Sequence, residues 1–308
     1  MKIKNVQTKN NIFLAPMAGV TDVGFRKVCS KFGAGLTYTE MISAKGLLYN
    51  PEKTSLYLNT TETENPVAVQ IFGSEPEVMA MACKHPLLQK FDIIDINMGC
   101  PVKKIVNNNE GSSLMTNLPL AKSIIEACVK ATDKPITVKF RIGFDNEHIN
   151  AVEFAKMCEE AGASAITIHG RTRAQMYSGT VNYDIIKKVK EAVKIPVIGN
   201  GDIVDKNSYN KMLETKVDAV MIGRGSMGCP WIFSELQNKK VDINLKDVIN
   251  EHLQTYLKYN DEKFVVLEMK KHFAWYLKNI KNNKEIKTKI MLENNLDNIL
   301  NLINNFLN

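Results

Sequence analysis

The chain of 308 residues predicts an α/β fold, a (β/α)8 TIM barrel followed by a small all-α helical domain at its C-terminal end. Three observations carry this prediction. Up to about residue 235, eight short β-branched runs alternate with amphipathic stretches, and strands alternating with helices build a parallel sheet. That many units in roughly 230 residues match the usual ~250-residue size of the barrel. From residue 236 onward there is no glycine and no strand-like run, and Leu, Ile, Asn and Lys recur at helical spacing.

In order, the strands are expected at IFLA (12–15), LTYTE (36–40), VAVQIF (67–72), IIDIN (93–97), ITVKF (136–140), AITIH (165–169), PVIGN (196–200) and AVMIG (219–223). The helices between them read as VGFRKVCSKFG, PLAKSIIEACVKA, AVEFAKMCEEAG, YDIIKKVKEAVK and SYNKMLETK, each with an apolar stripe. A doubly wound sheet would need fewer strands and a glycine-rich first turn, and PMAGVTD after the first strand is not G-x-G-x-x-G. The expected division is a barrel over 1–235, a linker over 236–245 within the polar stretch around QNKKVDINLKD, and a helical domain over 246–308.

Composition narrows the function classes. Hydrophobic residues at 44% and charged residues at 24% are those of a globular protein, which excludes wholesale disorder. No apolar run reaches the ~20 residues of a membrane helix. MKIKNVQTKNN lacks the apolar centre of a signal peptide, so a cytoplasmic protein without membrane attachment is expected. Six cysteines form no C-x-x-C pair, which predicts neither a metal site nor a disulfide framework. The net charge of +7 permits a polyanionic partner without demonstrating one.

In a barrel, chemistry sits at the C-terminal strand ends. Those ends here carry Pro16-Met17-Ala18, Glu40, Gln70, Asn97 with Cys100, Lys139 with Arg141, His169 with Arg171, Asn200-Gly201-Asp202 and Gly223-Arg224-Gly225. One such residue would mean little; eight strand ends agreeing is informative. GNGDI and GRGSMG let backbone N–H groups approach an anion, at the loops where this architecture binds phosphate. Tight turn chemistry is the blander explanation for either loop alone. Lys139 interrupts an apolar strand and needs an electron-rich partner, since lysine is rarely buried alone. Gln70 and Asn97 can donate and accept together, which suits a planar heterocycle. His169 reads equally as structural or functional. Cys100, between Gly99 and Pro101, ends an apolar run, where packing, metal ligation and reactivity all remain open.

FLAPMAGVTD, PVAVQIFG, DINMGCPVKK, TVKFRIG, IHGRTRAQMYSG, VIGNGDI and MIGRGSMGCPWIF, in this order over about 12–233, resemble the flavin-dependent tRNA-dihydrouridine synthases, most of all the bacterial B-type subgroup. The resemblance implies FMN as cofactor, NADPH as electron donor and tRNA as partner. FMN should meet Pro16, Met17, Ala18, Gln70, Lys139 and His169, with its phosphate on Asn200, Gly201, Asp202, Gly223, Arg224 and Gly225. Cys100 matches the family's general acid. Asn97, Arg141, Arg171, Arg173 and Gln175 fall where the family holds the uridine and nearby RNA. Lys271, Trp275 and Lys278, on one face of a helix over 263–279, offer a second RNA surface or else core packing. A monomer is expected. The alternatives are an FMN barrel oxidoreductase acting on a small pyrimidine-like molecule, a flavin-free RNA-binding relative, and an aldolase using Lys139. The first and third lack a use for the RTRAQ loop, and a colourless preparation that cannot be reconstituted with flavin would favour the second.

Overall fold

The computed structural model describes residues 1–308. A short antiparallel hairpin, β1 (Lys2–Ile3) and β2 (Val6–Gln7), precedes the barrel strands β3 (Ile12–Leu14), β4 (Thr37–Ser43), β5 (Val67–Phe72), β6 (Ile93–Met98), β7 (Ile136–Arg141), β8 (Ala165–His169), β9 (Val197–Asn200) and β10 (Ala219–Ile222). The eight are parallel in the order β3-β10-β9-β8-β7-β6-β5-β4. The seam closes where Leu14 N–H donates to the Leu36 carbonyl (3.0 Å) and Gly35 N–H to that of Ile12 (2.7 Å).

Each expected strand is present. The largest change is β4, which continues past Glu40 to Ser43 through a register shift between Tyr38 and Met41. Such an irregularity re-aims a side chain. Glu40 therefore turns to accept from Gly19 N–H in the loop after β3, and burial raises its carboxyl to about 7.

Two layers of apolar residues explain the barrel. Outward side chains pack with the helices into the main core, while Phe13, Leu36, Tyr38, Ile93, Ile198 and Met221 fill the interior. Ile3 belongs to that interior group and is fully buried, so the hairpin plugs the barrel. Its two-residue strands are too short for any periodicity to announce them. The helices Ala44–Tyr49 and Pro76–Lys84 likewise escape the sequence reading.

The tail forms four helices, Leu245–Leu257, Glu262–Tyr276, Asn283–Leu292 and Leu296–Phe306. Their apolar cluster includes Val23 and Val28, from the barrel helix Val23–Lys31, so tail and barrel share a core. Asp22 caps that barrel helix, accepting from Gly24 N–H (2.8 Å) and Phe25 N–H (3.0 Å). His252 and His272, one from each of the first two tail helices, close on the same carboxylate. No helix is long and apolar enough to cross a membrane.

The face expected for Lys271, Trp275 and Lys278 is divided. The helix ends at Tyr276, so Lys278 lies beyond it and donates to the Met227 carbonyl (3.2 Å). Trp275 packs against the barrel core, and Lys271 pairs with Glu268.

Candidate active site

Cys100 is held by a relay that starts deep in the barrel. Period-two alternation places Asp95 and Asn97 on the same face of β6. Asp95 is fully buried and accepts from Thr137 Oγ1 (2.5 Å) and Gln70 Nε2 (2.6 Å). The Gln70 Oε1 accepts from Asn97 Nδ2 (2.8 Å). Asn97 Oδ1 then accepts the N–H groups of Gly99 (3.0 Å) and Cys100 (2.8 Å). Arg141 Nε donates to the Gly99 carbonyl (2.8 Å), and the Cys100 carbonyl takes Ser112 Oγ (2.9 Å). Both backbone faces of the cysteine are fixed while its side chain stays only half-buried. Desolvation raises the thiol pKa; the Val102 N–H, Arg141 and Lys139 oppose it less strongly. The sulfur therefore carries its proton at neutral pH.

Across the barrel mouth, three and four strands from β6, the loops after β9 and β10 form a cradle. The N–H groups of Gly201, Asp202 and Gly223 donate to no protein group, and Gly201 is buried. Unpaired buried donors are rare, and that of Gly201, with the two free N–H groups of Asp202 and Gly223 in the adjoining loops, suits an anion. Gly201 has φ +132°, and a Cβ there would lie 2.6 Å from Val181 Cγ2, so glycine is required. Lys139 Nζ reaches Asn200 Oδ1 (3.2 Å), whose amide donates to the Met221 carbonyl (2.8 Å). Burial lowers the lysine to about 8, with Arg141 adding to the effect. His169 lies beneath Gly201 and stays neutral, its pKa lowered first by burial and then by Lys139 and Arg141. Pro16, Met17 and Ala18 line the loop after β3, where Thr21 Oγ1 accepts from Met17 N–H (3.1 Å). Arg224 is half-exposed and Gly225 follows it in a short 3-10 turn.

Four expected residues are engaged within the protein. Arg171 is 2% exposed, and its fork binds Asp202 and the carbonyls of Ser178 and Gly179, so it braces the loop with most of its donors. Asp202 spends its carboxylate on Arg171 and Arg224, leaving its N–H unpaired. Asn97 spends both ends of its amide on Gln70 and the cysteine loop, which makes it a positioning residue. Gln175 likewise braces its own loop, accepting Thr172 N–H at 2.8 Å. Arg173 stacks over Phe144 with its Nε unpaired, and Tyr177 is exposed with Arg141 and Arg224 over its ring.

Asp95 and Thr137 were missed by the sequence reading. A lone carboxylate between Ile94 and Ile96 was the available signal: it marks an inward polar residue that must have partners.

A model of the dihydrouridine synthase (Dus) family matches residues 13–307. The chain belongs to this family. Curated relatives include the tRNA-dihydrouridine synthase B of Pasteurella multocida, 43% identical over 293 residues, covering 92% of this chain and 88% of that protein. That of Shewanella oneidensis is 43% identical over 288 residues, covering 90% and 89%. Among solved structures, a variant of NCR from Zymomonas mobilis aligns with TM-score 0.58 at 15% identity over 84% of this chain and 97% of that one. TcOYE with pHBA aligns with TM-score 0.58 at 12% identity over 84% and 98%. Both share the barrel fold. In this member of the dihydrouridine synthase family, then, the thiol loop and the anion cradle stand on opposite sides of one barrel mouth, with Lys139 and His169 between them.

Proposed function

We propose that this chain is an FMN-dependent tRNA-dihydrouridine synthase that uses NADPH to reduce the C5=C6 bond of uridines in tRNA. The observation that carries the reading is the placement of a protonated, backbone-clamped Cys100 across the mouth from the Gly201–Gly223 cradle. The family and the names of the curated relatives support the substrate.

The residues fit FMN. The free N–H groups of Gly201, Asp202 and Gly223, with Arg224 beside them, would hold its phosphate; Lys139 would face the electron-rich edge of the ring. Bound and reduced, the flavin would supply the hydride that adds to uracil C6. Cys100 Sγ holds the proton that C5 must receive, and Asn97 with Arg141 fixes the backbone that carries the thiol. Arg173 and Tyr177 offer a guanidinium and an aromatic face to an extruded nucleotide, while Arg171 keeps their loop in shape. The enzyme works as a cytoplasmic monomer, with the barrel over 1–235, a linker over 236–245 and a tRNA-binding tail over 246–308.

A yellow preparation that oxidises NADPH only when unmodified tRNA is present, and leaves dihydrouridine in it, is the expected result. Free uridine serving equally well would replace this reading with a small-molecule reductase.

Two further outcomes are expected. Lys139 is protonated below about 8, where its charge attracts FMN, and neutral above. An anionic partner raises that pKa, so FMN affinity should fall about tenfold between pH 7 and 9.5. Lys139→Met should flatten the dependence in a fluorescence-quenching titration, and an equal slope in both proteins would exclude the lysine. Affinity for tRNA should drop about 10²-fold between 50 and 200 mM salt if about four phosphates are neutralised. A flat salt plot in a filter-binding assay would remove phosphate contacts from the account.

A further inference from the structure

We propose that Asp22, His252 and His272 form a zinc site that fastens the helical tail to the barrel. The three are more than 200 residues apart in part, and no spacing motif announces them. Their ligand atoms nevertheless all lie within 4.8 Å of one another, and all three side chains are buried. His252 Nε2 is 3.1 Å from each carboxylate oxygen of Asp22, and His272 Nε2 is 3.2 Å from Oδ2. Ligands about 2.0–2.2 Å from a tetrahedral zinc sit about 3.3 Å apart, so the pairs at 3.1 and 3.2 Å need only open slightly around an ion.

A hydrogen-bonded latch explains the cluster less well. His272 is 1% exposed, yet neither of its ring nitrogens makes a hydrogen bond. Asp22 Oδ2 lies 3.2 Å from its Nε2 without an aligned hydrogen bond, and the flanking rings of Phe25 (centroids 5.3 Å apart) and Trp275 (5.0 Å) offer no other acceptor. A lone pair aimed at a cation satisfies the Nε2 that a latch leaves idle.

The neighbouring groups suit a metal. Asp22 Oδ1 already takes two N–H groups of the barrel helix, which orients the carboxylate and leaves Oδ2 toward the histidines. His252 Nδ1 bonds Tyr276 Oη (3.0 Å), the outer contact that fixes a ligating imidazole. Beside Asp22 is a hollow, lined also by Glu40, Tyr57 and Tyr256, with room for about one water. Two imidazoles and one carboxylate favour zinc over magnesium or calcium, which prefer oxygen.

The test uses the tag-free full chain purified without chelator. About one zinc per chain by mass spectrometry is expected. Dialysis against EDTA should lower the melting temperature, and added Zn2+ should restore it. His272→Gln should cut the bound zinc at least tenfold, while His148→Ala, in the exposed trio Asp145, Glu147 and His148, should leave it unchanged. A wild-type protein with no zinc as purified and no thermal shift on adding Zn2+ overturns the proposal, as does zinc lost with His148 and kept without His272. Wild-type metal content and thermal shift decide the matter even if the His272 variant does not fold.

Discussion

Cys100→Ala is expected to slow reduction of tRNA about 10²–10⁴-fold, the range a positioned general acid supplies. The loss should fall on one half-reaction. NADPH should still bleach the flavin at the wild-type rate, since Cys100 holds no part of the Gly201–Gly223 cradle, whereas reoxidation by tRNA should lag. Folding should be spared: the contacts that shape the loop run through the Cys100 N–H and carbonyl, and alanine keeps both. A stopped-flow trace in which the variant returns electrons to tRNA at the wild-type rate would end the proton-donor role. The pH dependence has a definite sign. Burial holds the thiol pKa above its ordinary value, so turnover should persist through neutral pH and fade only where the thiol ionises.

The barrel was legible because its strands are buried on both faces. Parallel strands covered by helices read as nearly continuous apolar runs, as in VAVQIF and AITIH, and both match their observed limits. The rim was legible for the complementary reason: polar and glycine residues at eight apolar strand ends have no packing purpose. What stayed hidden was pairing. Nothing in the chain says that Arg171 spends its fork on Asp202, or that Asn97 looks back to Gln70 and forward to Cys100. Such links depend on which side chains the sheet brings face to face, across 25 to 31 residues of intervening chain. The union of Asp22 with His252 was invisible for the same reason, across 230 residues, whereas the hairpin plug was hidden by the shortness of its strands.

The largest stability effect is expected from Arg26→Met, at roughly 3–5 kcal/mol, because the change strands a buried charge. Arg26 is 1% exposed and its Nε lies 2.6 Å from Glu64 Oε1. Its other donors reach the carbonyls of Thr21 (2.8 Å) and Asn59. Glu64 in turn accepts from Thr37 Oγ1 (3.2 Å) and from Thr61 N–H (2.9 Å). One guanidinium thus ties the first barrel helix to the segment before β5. Methionine fills the space of the stem but leaves the buried Glu64 carboxyl without its counter-ion, and a melting temperature lower by roughly 5–10 °C is expected. Arg26→Met with Glu64→Leu removes both charges, so the double variant should recover most of the loss, as buried pairs replaced by apolar residues commonly do. A single variant as stable as the wild type in urea unfolding would refute the stranded-charge argument. Function should follow stability here. Thr21, whose carbonyl Arg26 holds, also hydrogen-bonds Met17 and precedes Asp22, so loosening it disturbs the loop assigned to FMN and the junction with the tail together.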